Sequence, residues 1–330
     1  MVAHDRMCRL DCQETIPTEK MPSQLVCYSV TNCGEGPHLE QLLRSTASLR
    51  QYNSNIPVWV FVYGDLPSAA AALLEADHIC VKPVGPYVAS LRTLSPHAEV
   101  LSSYGVLCKY LSLVELADVD VSQLLSVDCD TFFFDDVSKL FQRYAECDCY
   151  GREEPFSPYS AHGDAAYLDP AALAALLKSE ALHEVPTLNA GALLLNRGLH
   201  RKVAPLLGFM LDYASRLMMW LRLHHDGALP YRTPEFDPNS GAGGDPVGSA
   251  KPAHSLLPYP SSNAWIVDEV AFWMMLGRLP EISCGIFAWN DFLQGQEFLS
   301  ASRELTSALG CHYFSVNEGV FTDWVKDRAK

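Results

Sequence analysis

The segment Gln123-Leu124-Leu125-Ser126-Val127-Asp128-Cys129-Asp130 decides how this chain is read. Leu124 to Val127 is a short, mostly apolar run of the kind a buried strand shows. It delivers two carboxylates one residue apart. Alternate residues of an extended segment share a side, so Asp128 and Asp130 are expected to point the same way. Two carboxylates at a strand end make a hard-oxygen site that suits Mg²⁺ or Mn²⁺, with phosphate oxygens and water completing the shell. Such an ion bridges a diphosphate and stabilises it as a leaving group. For the tripeptide alone, a solvated loop with two acids is the plainer reading. Its place behind a strand gives the metal reading its weight.

Upstream, strand and helix patterns alternate. Leu25 to Val30 reads as a buried strand, Leu39 to Tyr52 as a helix, and Val58 to Tyr63 as a strand that Gly64-Asp65 ends. Ser68 to Glu75 reads as a helix, Ile79 to Val84 as a strand, and Lys109 to Ala117 as an amphipathic helix. Repeated βαβ units imply an α/β fold with a mainly parallel central sheet flanked by helices. Ligands of such sheets lie beyond the carboxyl ends of the strands. Thr31 and Asn32, just past the first strand, are therefore candidate nucleotide contacts, against the plainer reading of a strand-ending turn.

Downstream, Val137 to Tyr144 reads as a helix headed by Asp135 or Asp136, and Asp169-Pro170 as the start of another. Thr187 to Gly191 leads into a strand over Ala192 to Leu195, and one long helix follows from Leu199 to Leu223. From Asp226 to Ser262, Pro, Gly and Ser dominate. A loop of that length is functional or disordered; the expectation is a mobile surface segment bordering the acceptor side of the site. Helix resumes over Val267 to Leu276.

The whole chain has 330 residues, 48% hydrophobic and 19% charged, with a formal net charge of -15. That length allows a sizeable core. The negative surface repels nucleic acid and anionic membrane, so a bound polyphosphate needs a local cation. The 11 cysteines form no Cys-x-x-Cys pair and read as reduced thiols of a cytoplasmic protein. Met1 to Pro22 lacks the apolar core of a secretory signal, and no stretch approaches the ~18 apolar residues of a membrane span.

The chain resembles the glycosyltransferases of the GT-A fold, and most of all the retaining galactosyltransferase- and glycogenin-like group (family 8-like). The resemblance rests on four segments in family order, spanning about residues 25 to 324. One is the core run Lys109 to Leu113, Leu124 to Thr131 and Asp136 to Phe141. The others are Leu188 to Asn196 with its Asn189-Ala190-Gly191, the acidic pair in Asp268-Glu269-Val270-Ala271, and His312-Tyr313. It implies one GT-A domain over 24–330 behind a polar tail, 1–23, with a nucleotide-binding half, 24–137, and an acceptor half, 138–330. It further implies Asp128, Asp130 and His312 as metal ligands, with Asp128 also touching the ribose. Lys109 would face the diphosphate or sugar hydroxyls, Asn189 and Gly191 would line the donor-sugar pocket, and Asp268 would contact donor or acceptor. The co-substrate would be a nucleotide sugar, UDP by family default, used with Mn²⁺ or Mg²⁺; the acceptor would be a small molecule, a glycan or a protein. Plainer readings stand beside these: Lys109 as a solvated helix lysine, Asn189 as a turn cap, Asp268 as a helix cap, His312 as a core histidine. The group's Lys-Pro-Trp after the C-terminal histidine is absent here, where Tyr313 to Gly319 and then Asp323-Trp324 stand, so retention or inversion stays open.

Three other readings are weighed. A haloacid dehalogenase-type phosphatase uses the first Asp of Asp-x-Asp as nucleophile, but wants Thr or Val where Phe132 stands, and carries its motif nearer the start. A sugar nucleotidyltransferase wants a basic Gly-rich loop after strand one; Val30 to Pro37 holds Gly34 and Gly36 but no Lys or Arg. A non-catalytic nucleotide-sugar binder would have little need of the acidic pair.

Overall fold

The apolar run from Gln24 to Thr31 forms the first strand, and its neighbours assemble by the alternation that the sequence carries. A computed structural model describes residues 23–31, 37–153, 170–183, 186–224, 266–294 and 308–312. In chain order the first elements are β1 (Gln24–Thr31), α1 (His38–Tyr52), β2 (Val58–Tyr63), α2 (Ser68–Ala76) and β3 (Cys80–Pro83). Next come α3 (Tyr87–Leu94), α4 (Ala98–Leu101), a 3₁₀ turn (Gly105–Leu107), α5 (Cys108–Glu115), β4 (Gln123–Val127), β5 (Thr131–Phe133) and α6 (Ser138–Arg143). The second half holds β6 (Cys149–Glu153), α7 (Pro170–Ser179), β7 (Leu188–Asn196), α8 (Leu199–Val203) and α9 (Leu207–His224). It ends with α10 (Val267–Leu276), β8 (Cys284–Ile286), β9 (Phe292–Gln294) and β10 (Gly310–His312).

Seven strands form one sheet in the order β3-β2-β1-β4-β7-β6-β8, and β5-β10-β9 form a small second sheet. The pairs β1–β2, β1–β4, β2–β3 and β6–β8 are parallel, whereas β7 runs against both β4 and β6. The sheet is thus mainly parallel, with a reversal at β7. All nine residues of β7 are buried, as expected of a central strand covered on both faces. One face packs on α5, α9 and α10, the other on α1 and α6. Every residue of α10 is buried; a helix apolar nearly all round belongs inside.

Three features depart from the sequence reading. The single helix expected over Leu199 to Leu223 is divided by a 3₁₀ turn at Ala204–Leu206, where Pro205 has no N–H to give and its ring crowds the preceding turn. The strand expected over Ala192 to Leu195 starts earlier, at Leu188, so Asn189-Ala190-Gly191 lies inside it. Helices α3 and α4 fill a stretch given no element. Helix α6 has Val137 in its cap position, and Asp136 stands just before it, its Oδ1 accepting from the Ser138 N–H at 2.8 Å. Asp169 and the segment 226–262 lie outside the described residues, as does nearly all of the tail. Among the described residues no helix is long and apolar enough to cross a membrane.

Candidate metal and donor site

Three elements meet at the carboxyl end of β4. The strand pairs with β7 as far as Val127 opposite Ala192, and the ladder is extended by the Asp128 N–H donating to the Gly191 carbonyl at 2.9 Å. A tight turn follows, closed by the Thr131 N–H on the Asp128 carbonyl at 3.1 Å. It sends the chain into β5, whose Thr131 lies opposite His312 of β10. The turn carries Asp128 and Asp130, and the small sheet brings His312 to them from 182 positions further on (312 minus 130). His312 Nε2 lies 3.2 Å from Asp130 Oδ1 and 3.8 Å from Asp128 Oδ2. One oxygen from each aspartate and one ring nitrogen all lie within 4.8 Å of one another.

The second nitrogen of His312 has a fixed partner. Its Nδ1 is 3.0 Å from Asn189 Oδ1. That oxygen also accepts from the Gly191 N–H at 2.9 Å, and the Asn189 amide nitrogen donates to Glu269 Oε1 at 3.0 Å. A backbone N–H and a carboxylate leave no choice about which end of the amide is which. Nδ1 therefore carries hydrogen, and Nε2 is the nitrogen turned to the aspartates. Glu269 Oε1 accepts a second bond, from the Ala190 N–H at 3.0 Å. Gly191 makes the ring's place: a Cβ there would sit 1.9 Å from His312 Cε1.

Behind the turn stands Lys109, on the first turn of α5. Its ammonium is 3.1 Å from Asp128 Oδ2 and 3.3 Å from Asp268 Oδ2, and it donates to the Ala190 carbonyl at 3.4 Å. Asp268, only 3% exposed, also accepts from the Tyr104 hydroxyl at 2.8 Å and the Tyr110 hydroxyl at 3.2 Å. Its carboxylate makes no cap for α10. Lys109 is likewise no solvated helix lysine.

The electrostatics follow from this crowding. Burial works against the charge on Lys109, but Asp128, Asp268 and Glu269 outweigh it and hold the ammonium above its usual range. Burial likewise opposes charge on His312, and Asp130 and Asp128 reverse that and raise it. Asp130 is held low by His312 in spite of burial. Burial, with the Asp130 charge beside it, raises Asp128 in spite of Lys109 and His312. Among the described residues, four carboxylates face one lysine and one histidine here, an excess of negative charge. Two hard oxygens and an oriented imidazole nitrogen, in a surplus of negative charge, fit a divalent cation.

Thr31 ends β1 at the same edge of the sheet, its strand set so that Tyr28 opposes Val127. Its hydroxyl lies against Gly105, 2.8 Å from where a Cβ there would stand. Asn32 lies outside the described residues. The structure thus brings together Lys109, Asp128, Asp130, Asn189, Gly191, Asp268 and His312. Sequence reasoning gave no role to Glu269, Tyr104 or Tyr110. For Glu269 the available signal was its place beside Asp268 at the head of a helix.

No family model and no curated protein matches the chain. Among solved structures, the bifunctional glycosyltransferase WbbM matches with TM-score 0.50 at 12% identity, over 95% of this chain and 50% of that one. Mouse xyloside xylosyltransferase 1 gives TM-score 0.49 at 12% identity, over 89% of this chain and 98% of that one. Galactosyltransferase LgtC, solved with donor and acceptor sugar analogues, gives 0.49 at 11%, over 92% and 95%. The fold is that of the GT-A glycosyltransferases.

Proposed function

We propose that the protein is a metal-dependent glycosyltransferase that moves a sugar from a nucleotide-diphosphate sugar, by default a UDP-sugar, to an acceptor. The observation that carries this reading is the Asp128–Asp130–His312 cluster at the carboxyl edge of a GT-A sheet, with the His312 ring oriented by Asn189. Asp128, Asp130 and His312 would hold Mn²⁺ or Mg²⁺. The ion, when bound, would neutralise the diphosphate of the donor and stabilise it as it leaves. Asn189 and Gly191 serve this by holding and admitting the imidazole. Lys109, fixed between Asp128 and Asp268, keeps a positive charge beside the diphosphate and sugar hydroxyls. Asp268 orients the donor or acceptor sugar, and Thr31 and Asn32 contact the nucleotide. Residues 24–137 form the nucleotide half and 138–330 the acceptor half; the protein acts in the cytoplasm.

A panel of UDP-, GDP- and TDP-sugars, with and without Mn²⁺, tests this reading by thermal shift and by release of nucleoside diphosphate. The expected result is stabilisation by one nucleotide sugar only when the ion is present. Full turnover in EDTA would end the metal reading. Asp268→Asn tests the sugar role, because Asn keeps an acceptor for Tyr104. A hundredfold or so fall in transfer with donor binding intact supports a role for the carboxylate's charge, and near-normal transfer removes a base role while leaving sugar hydrogen bonding in place.

A further inference from the structure

Outside this site, two cysteines stand opposite one another on neighbouring strands. β6 and β8 run parallel with Cys149 in register with Cys284. Register partners of parallel strands send their side chains to one face, and both thiols join the same body of packed side chains. Paired strands lie about 4.8 Å apart, inside the ~4.4–6.8 Å between Cα atoms that a disulfide spans. Cys147 packs in the body on the other face and is not placed to compete.

The two thiols are unlike. Cys149 is fully buried, whereas Cys284 is half-buried on β8, the last strand of the sheet. A hydrogen bond from the Cys149 thiol to the Cys284 sulfur holds Cys284 below its usual thiol range. The same bond, with burial added, pushes Cys149 well above it. A reachable, more acidic thiol beside a buried partner has the form of an attacking and a resolving cysteine.

We propose that Cys149 and Cys284 are a reversible dithiol–disulfide pair, a modification site whose co-reactant is a small disulfide such as oxidised glutathione. The Cys284 thiolate attacks one sulfur of the small disulfide and expels a thiolate, which takes up the proton that Cys284 gave. Cys149 then loses its proton and attacks the Cys284 sulfur of the mixed disulfide, releasing the second small thiol. One protein disulfide forms, the protein gives up two electrons, and the small disulfide is reduced to two thiols. The new bond ties the edge strand β8 to β6 and restrains the unfolded chain across a long loop.

The test uses the full chain in graded mixtures of reduced and oxidised glutathione, quenched by alkylation and mapped without reduction by mass spectrometry. A linked Cys149–Cys284 peptide is expected, with an intact mass lower by two hydrogens and reversal by reduced glutathione. Cys149→Ser removes the resolving thiol, so Cys284 should then accumulate as its glutathione adduct several-fold above the unmodified chain. The proposal falls if Cys149 and Cys284 are recovered singly alkylated while exposed Cys80 takes up glutathione. It falls equally if Cys149→Ser folds and carries no more adduct at Cys284. Should that variant not fold, the map of the unmodified chain decides alone.

Discussion

Two of the molecule's acidic pairs look alike in sequence and behave differently in space. Asp128 and Asp130 end a strand, and their side chains keep 30% and 23% of their exposure. Asp268 and Glu269 open α10 and are buried. The first pair meets Lys109 and His312 from the protein side and still opens outward. The second pair is turned inward: Asp268 to Tyr104, Tyr110 and Lys109, Glu269 to Asn189 and the Ala190 N–H. The difference teaches that a carboxylate's use follows from what donors surround it. The strand-end pair keeps the open side that the proposed ion would need, while the helix pair mainly holds its protein neighbours.

The largest effect expected is on the outward pair. Asp130→Ala should remove the Mn²⁺-dependent thermal shift and lower transfer on the order of 10³-fold, as loss of several kcal/mol of ion-derived stabilisation requires. Its metal-free melting should stay within about 1 kcal/mol, since a partly exposed acid is lost. If metal-free stability collapses instead, the first pair is structural and the contrast breaks.

Asp268→Ala should show the reverse signature. It takes one of the two ion-pair partners from buried Lys109, leaving Asp128 at 3.1 Å, and strips two tyrosine hydroxyls of their acceptor, a loss of about 3 kcal/mol. Chemical denaturation read by tryptophan fluorescence measures this directly. A change under about 1 kcal/mol would show that the inward pair carries little of the packing.

Glu269→Ala sharpens the link between the pairs. Two N–H groups lose their acceptor, worth about 2 kcal/mol of stability, and the Asn189–His312 contact loosens. Mn²⁺ affinity, followed by calorimetry, should fall roughly 10- to 100-fold. Glu269→Gln keeps an oxygen for both donors and should recover most of that affinity. Gly191→Ala should weaken the metal as much as His312→Ala does, because its Cβ occupies the ring's place.

The smallest effect belongs to a third acidic pair, Asp135–Asp136. Asp136 bonds the Ser138 N–H at the head of α6, so Asp136→Ala should cost about 1 kcal/mol. Mn²⁺ affinity and transfer should not move. Any loss of metal affinity there would blur the distinction between ligand and structural acids.

What the sequence showed and hid follows from the range of its signals. The run from β1 to β3 and the strand β4 were readable because apolar blocks bounded by Gly, Pro and Asp are local patterns. Periodicity carries no direction, so the reversal of β7 between β4 and β6 was hidden. The strands β5, β8, β9 and β10 have three residues each, too few for any period to register. Pro205 was a readable break that the longer helical pattern masked.

The acid pair and its place behind a strand were fixed by adjacency along the chain, which sequence records directly. The identity of Asn189, Gly191, Asp268 and His312 as neighbours of that pair came from resemblance, not from any local pattern. Only the tertiary structure decided how they meet. It put Lys109 between Asp128 and Asp268, gave Asn189 to both His312 and Glu269, and seated the imidazole where Gly191 has no side chain. Such contacts join residues from 19 to 159 positions apart (128 minus 109, 268 minus 109), and their partners are chosen by sheet register and by the need of every buried polar group for a match. That need is met only when the whole chain is in place, so no segment read alone could declare it.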